Sequence, residues 1–168
     1  ETVLVSVDSE GGQGNGESVP VSISADGRYI VFYSAADNLV LGDTNRMVDL
    51  FVRDLPAGPT IRVSVDSANA QANWVSSFGS ISADGRFVAF DSQAANLVAG
   101  DTNGQNDVFV RDLGAGITYR VNVKSAGGQV DSGFDPSISA DGRFVAFSSG
   151  AADLVPGDTN SKVDVFVR

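Results

Sequence analysis

Apolar residues along this chain come in short bursts rich in Val, Ile and Phe, broken at close intervals by Gly, Asp, Asn and Pro. Nowhere do they recur at helical spacing over a useful length, so the pattern predicts an all-β chain. In the middle of the chain it predicts a strand over Phe78–Ser82, a tight turn at Ala83-Asp84-Gly85 and a second strand over Arg86–Ser92. A long loop over 93–106 then leads to a third strand over Asp107–Leu113, a turn at Gly114-Ala115-Gly116 and a fourth strand over Ile117–Val123. This is a four-stranded antiparallel meander.

The same pattern occurs three times. Ser22-Ile-Ser-Ala-Asp-Gly-Arg28 returns at 80–86 and at 137–143, spaced by 58 and 57 residues, each time followed by Gly-Asp-Thr-Asn and a Leu/Val-Phe-Val-Arg strand. Between 80–111 and 137–168, 25 of 32 positions are identical without a gap, so the chain is an array of one supersecondary unit. A lone meander cannot bury both faces, whereas meanders stacked radially can, which predicts β-propeller blades. Pro/Gly-x-Ile-Ser-Ala-Asp-Gly-Arg-Phe-Val-Ala-Phe-x-Ser followed by Asp-Val-Phe-Val-Arg-Asp-Leu resembles the TolB-type, WD40-like propeller repeat of bacterial envelope and secreted proteins. The resemblance covers 19–168 and implies one blade per copy, but no activity, since this fold hosts unrelated functions. The chain departs from that repeat in a longer second-to-third strand connection carrying Gly-Asp-Thr-Asn.

The copies divide the chain into repeats at 19–76, 77–133 and 134–168, the last lacking its fourth strand. Residues 1–18 supply a spare fourth strand plus loop, because Glu1-Thr-Val-Leu-Val-Ser-Val-Asp8 matches Thr60-Ile-Arg-Val-Ser-Val-Asp66 and Thr118-Tyr-Arg-Val-Asn-Val123. Propellers usually have about four to eight blades, so closure within three is not expected. Two chains exchanging N-terminal strands would give a six-bladed homodimer with no unpaired edge; a nine-bladed trimer or a longer array are the competitors. The start at Glu1 rather than methionine suggests a processed or excised piece.

Composition narrows the chemistry. There is no histidine and no cysteine, which excludes disulfides, the usual zinc sites and Ser-His-Asp or Cys-His nucleophilic machinery. With 11 basic and 21 acidic residues the net charge is −10, which repels nucleic acid and favours a cation. No apolar run approaches membrane-spanning length.

The recurring loops place Asp43, Asn45 and Asp49, then Asp101, Asn103 and Asp107, then Asp158, Asn160 and Asp164 at relative positions 1, 3 and 7. Side-chain oxygens at these positions, with a backbone carbonyl at 5, suit calcium better than magnesium. The spacing is similar to the later part of the calcium loops of integrin-type propellers. The position of that family's first ligand falls on Leu41, Ala99 or Pro156, none with a side-chain oxygen, unless Asn38, Asn96 or Asp153 folds back to help. Asx-turns without metal are the alternative. Gly104 at the bend makes the middle loop the best candidate; Arg46 stands there in the first loop, and Ser161-Lys162 adds a positive charge in the third.

The Asp-Gly turns read as structure, with Gly27, Gly85 and Gly142 at positive φ and Arg28 and Arg86 paired with Asp54 and Asp112. Phe51, Phe90, Phe109, Phe147 and Phe166 read as inter-blade core. The copies differ most in their fourth-to-first strand connections, which share one face with the acidic loops. The middle connection holds Trp74 beside Gln71 and Asn73, an aromatic-amide group suited to a sugar or peptide, or else an aromatic cap on the blade. These features point to a non-enzymatic, calcium-binding, lectin-like module for carbohydrate or protein, extracellular or periplasmic in a bacterium. A structural assembly repeat is the alternative, and a propeller hydrolase a third reading.

Overall fold

In the computed structural model, which describes residues 2–168, eleven strands form three antiparallel sheets and there is no helix. The first blade comprises β1 (Ser18–Ile23), β2 (Tyr29–Ser34), β3 (Asp49–Asp54) and β4 (Thr60–Arg62). The second comprises β5 (Ser76–Ile81), β6 (Phe87–Ser92), β7 (Asp107–Asp112) and β8 (Ile117–Arg120). The third has β9 (Phe134–Ile138), β10 (Val145–Ser149) and β11 (Asp164–Val167), ordered β9-β10-β11. Strand β5 packs between β1 and β9, so the first strands are the inner strands of a propeller arc.

The β1–β2 type turns follow from their residues. In each, an aspartate accepts a serine hydroxyl and the backbone N–H two residues on: Asp26 from Ser24 (2.6 Å) and Arg28 (3.0 Å), Asp84 from Ser82 and Arg86, Asp141 from Ser139 and Arg143. These hydrogen bonds hold all three carboxyls below the usual aspartate range. Gly27, Gly85 and Gly142 take φ of 75°, 76° and 71°, which closes the turn. Arg28 and Arg86 pair with Asp54 and Asp112 at 2.6 and 2.8 Å, as expected from sequence.

The predicted strand bounds shift in two places. Strand β5 starts at Ser76 and carries a bulge at Phe78, between Ser77 and Gly79. Strand β8 stops at Arg120, because Val121 and Val123 bend inward and Val123 instead bridges Gln129, as Val65 bridges Gln71. The N-terminal segment repeats this bend, with Val7 bridging Gln13 and the Val7 N–H donating to Val5 at 2.8 Å. Its predicted strand portion, Thr2–Leu4, pairs with no strand among the described residues, and Val3 and Leu4 stay more than half exposed. Glu1 lies outside the described residues.

Blades dock by one repeated contact. A methyl group at Gly85 would overlap the Tyr29 ring of the preceding blade, and one at Gly142 would overlap Phe87. Beside it the Ala25 N–H donates to the Ala83 carbonyl and the Ala83 N–H to the Ala140 carbonyl. Arg53 reaches back to the Asp8 carbonyl and Arg111 to the Asp66 carbonyl, both at 2.9 Å. Phe51, Phe90 and Phe109 are fully buried and Phe147 nearly so, while Phe166 on the edge strand is half-buried.

Candidate functional site

The long loops after β2, β6 and β10 and the connections between blades form one layer, stitched by side-chain amides. Asn38 accepts the Asn15 N–H (2.8 Å) and donates to Gln13, while Asn96 accepts the Asn73 N–H (2.9 Å) and donates to Gln71. These asparagines therefore tie loop to connection and do not fold back on the acidic residues. Asp153 pairs instead with Lys124 at 2.6 Å.

The asparagines of the acidic loops make Asx-turns. Asn45, Asn103 and Asn160 each accept the N–H two residues on, at 2.9, 3.0 and 2.7 Å. Their amide nitrogens point inward, to Asp49 and the Ala72 carbonyl, to the Val130 and Asp131 carbonyls, and to Asp164. Arg46, Gly104 and Ser161 occupy the left-handed corner, at φ of 58°, 64° and 53°.

An arginine stands where a cation was expected in the first two loops. Arg62 lies 2.9 Å from Asp43, off the line of a good hydrogen bond, and 3.6 Å from Asp49. Arg120 lies 3.1 Å from Asp107 and 3.6 Å from Asp101. All six side chains are at least nine-tenths buried. Burial pushes Asp43 and Asp49 up, and Asp107 up to about 6, against the pull of the guanidinium. Ser64 and Asn122 complete the set by donating to Asp49 and Asp107 at 2.6 and 2.5 Å. A calcium ion would have to enter beside a buried guanidinium, so these two donor sets do not fit it.

The third loop differs. Among the described residues no arginine approaches Asp158, Asn160 or Asp164, and the Asp158 Oδ2 is buried without a hydrogen-bond partner. Arg62 and Arg120 come from fourth strands, opposite Phe51 and Phe109, and the third blade has no such strand. The N-terminal segment carries Leu4 at the matching position. The third donor set is therefore the one without a resident guanidinium, although its Asn160 oxygen already accepts the Lys162 N–H and, among the described residues, no three acidic groups gather as a metal cluster; the expectation from glycine placement favoured the middle loop.

The group around Trp74 is only partly free. Gln71 is engaged with Arg62 and Thr44, both at 2.6 Å, and Asn73 accepts the Ala95 N–H at 3.0 Å, so both amides build the layer. Trp74 itself is 49% exposed, which does not suit a cap on the blade. The arginines under the loops escaped the sequence reading. Their signal was the Arg shared by 60–62 and 118–120 and replaced by leucine at position 4.

No family model matches the chain, and no curated protein matches it in sequence. Solved structures do match. TolB from Acinetobacter baumannii is 20% identical with a TM-score of 0.53, the match covering 92% of this chain and 30% of that one. A putative TolB from Agrobacterium tumefaciens is 17% identical with a TM-score of 0.56, covering 90% of this chain and 45% of that one. The chain has the TolB-type β-propeller fold and spans less than half the length of either protein.

Proposed function

We propose that the chain is a non-enzymatic propeller module that binds a protein or carbohydrate through the face formed by its long loops and inter-blade connections. The observation that carries this reading is the contrast within that face. The repeated amides and the carboxylates of the first two loops are consumed in internal bonds, while the unrepeated Trp74 stands half exposed on a connection tied down on both sides. A rigid aromatic among polar loops is a low-entropy anchor for a ligand. The lack of histidine and cysteine, and the neutralisation of the buried carboxylate pairs by arginine, speak against hydrolytic chemistry. Glycan and peptide arrays probed with wild type and Trp74→Ala test the reading: a ligand retained by the wild type and lost in the variant supports it, and identical patterns sink it.

The module works as a ring of two copies. The two ends of the arc expose opposite halves of the blade–blade contact, which supports this assembly. Ile23 is 59% exposed while its counterparts Ile81 and Ile138 are buried, and a methyl group at Gly27 would meet only the tip of Ile23 in its own blade, where Gly85 and Gly142 meet a ring of the preceding blade. At the other end Phe144, the counterpart of Tyr29 and Phe87, is 49% exposed, and the β11 edge presents Val165 and Val167. Thr2–Leu4 of one copy then becomes the outer strand on β11 of the other, bringing Leu4 rather than arginine under the third loop. Calcium binds there, at Asp158, Asn160 and Asp164, in an extracellular or periplasmic setting where weak oxygen sites fill.

A further inference from the structure

The three blades diverge most sharply at one point of their inner strands. Pro20, Phe78 and Asp135 hold equivalent places beside the β-bulge, and the residues just before them, Val19, Ser77 and Phe134, pair with Tyr33, Asp91 and Ser148. Phe78 and Asp135 adopt φ of 30° and 53°, in the region where side chains other than glycine, asparagine and aspartate are rare. Residues that a blade needs are the same in every copy, as the turn and loop aspartates are; these are not.

Between the second and third blades Phe78, Asp91 and Asp135 border a cleft of about 330 Å³, lined also by Ser77, Asn106 and Phe134. Asp91 forms its floor at 2% exposure. Its carboxylate accepts from the Ser77 hydroxyl (3.2 Å), the Asp135 N–H (3.4 Å) and the Asn106 amide. All three donors are neutral. The other buried aspartates, Asp49, Asp101, Asp107 and Asp112, each have an arginine within 3.6 Å. Asp91 has no basic partner among the described residues, and Asp135 at the rim adds a second negative charge. A buried carboxylate without a counter-charge is costly, and a cation entering the cleft would remove that cost. Phe78, 57% exposed, and the half-buried Phe134 offer aromatic surface of the kind that attracts an ammonium or guanidinium group. The volume is at the small end for ligand pockets and suits one side chain rather than an oligosaccharide.

We propose that this cleft receives a cationic side chain, lysine or arginine, of a partner polypeptide, with Asp91 and Asp135 as counter-charges and Phe78 and Phe134 as its walls. It rests on the reading of the chain as a binding module and names the chemistry of one ligand group, independently of Trp74.

The test is a backbone-amide NMR titration with Nα-acetyl-lysine amide and Nα-acetyl-arginine amide, against their neutral counterparts Nα,Nε-diacetyl-lysine amide and Nα-acetyl-citrulline amide. The expected result is saturable shifts at the Phe78 and Asp135 amides with at least one cationic probe, at an affinity on the order of millimolar, and none with its neutral counterpart. Asp91→Asn, close to isosteric, weakens binding at least about tenfold with the rest of the spectrum unchanged, and Phe78→Ala weakens it without removing a charge. Trp74→Ala leaves it unchanged, so failure of this site and failure of the Trp74 reading are separable. Absence of shifts with both cationic probes, equal binding of the neutral probes, or an unaltered affinity in Asp91→Asn overturns the proposal.

Discussion

Replacing Arg120 with leucine gives the middle loop the composition that register assigns to the third. In the wild type the guanidinium and the carboxylates of Asp101 and Asp107 are enclosed together, with side-chain exposures of 9%, 1% and 0%. Removing the cation strands two carboxylates that burial already disfavours, and breaking a buried pair from one side costs about 3–5 kcal/mol. For a domain of this size that corresponds to a fall in Tm of roughly 6–20 °C. Leucine fills much of the vacated space, so the loss is electrostatic more than a matter of packing. Calcium has opposite consequences for the two proteins. The variant offers the ion an uncompensated pair and regains about 2.7 kcal/mol at a hundred times its dissociation constant, whereas this loop in the wild type gains nothing. Urea unfolding at fixed ionic strength, with and without calcium, reads both effects, and Asp158→Asn in both backgrounds silences the third loop. Arg120→Lys, a point charge without the planar fork, recovers only part of the loss. A loss below about 1 kcal/mol in Arg120→Leu, or the same calcium response in both proteins, would refute the assignment of arginine as the resident cation.

Three further outcomes follow from the geometry. Burial lifts the Asp91 carboxyl to about 6 in the folded state, so the native protein holds that proton more tightly than the unfolded chain. The stability difference between wild type and Asp91→Asn should therefore shift against the wild type as pH rises from about 4 to 6, by up to about 3 kcal/mol, in urea midpoints across that range. Ser161→Gly relieves a left-handed serine at φ 53° and should stabilise the chain by roughly 0.5–1 kcal/mol in thermal unfolding, with Gly104→Ser costing a similar amount. Phe144→Asp places a charge on the end face of the arc and should yield a folded monomer by light scattering; an unchanged oligomer would exclude that face from the contact.

The blades were legible in the sequence because their causes are local. Each Ser-x-Asp-Gly-Arg turn carries its own donors and acceptors, and each strand its own apolar pattern, so three matched copies located the strand cores of all three blades and the Arg28–Asp54 and Arg86–Asp112 pairs. The loop chemistry was not legible in the same way. Arg62 and Arg120 reach the acidic loops only because β4 and β8 pair in a register that sets them opposite Phe51 and Phe109, and spacing within the loop does not carry that information. Gln71 and Asn73 looked free for a ligand because their partners, Thr44, Arg62 and Ala95, lie in other segments. The cleft at Asp91 was hidden for a third reason. A phenylalanine at φ 30° follows from bulge geometry and blade packing, not from any turn-forming residue type.

Ring closure is tested most directly by native mass spectrometry of the 168-residue chain from calcium-containing and chelator-treated buffer. The expected species has twice the 17.4 kDa chain mass and carries one calcium ion per chain, lost in Asp158→Asn without loss of the assembly. A monodisperse species at 17.4 kDa in both buffers would contradict the closed ring and the third-loop site together.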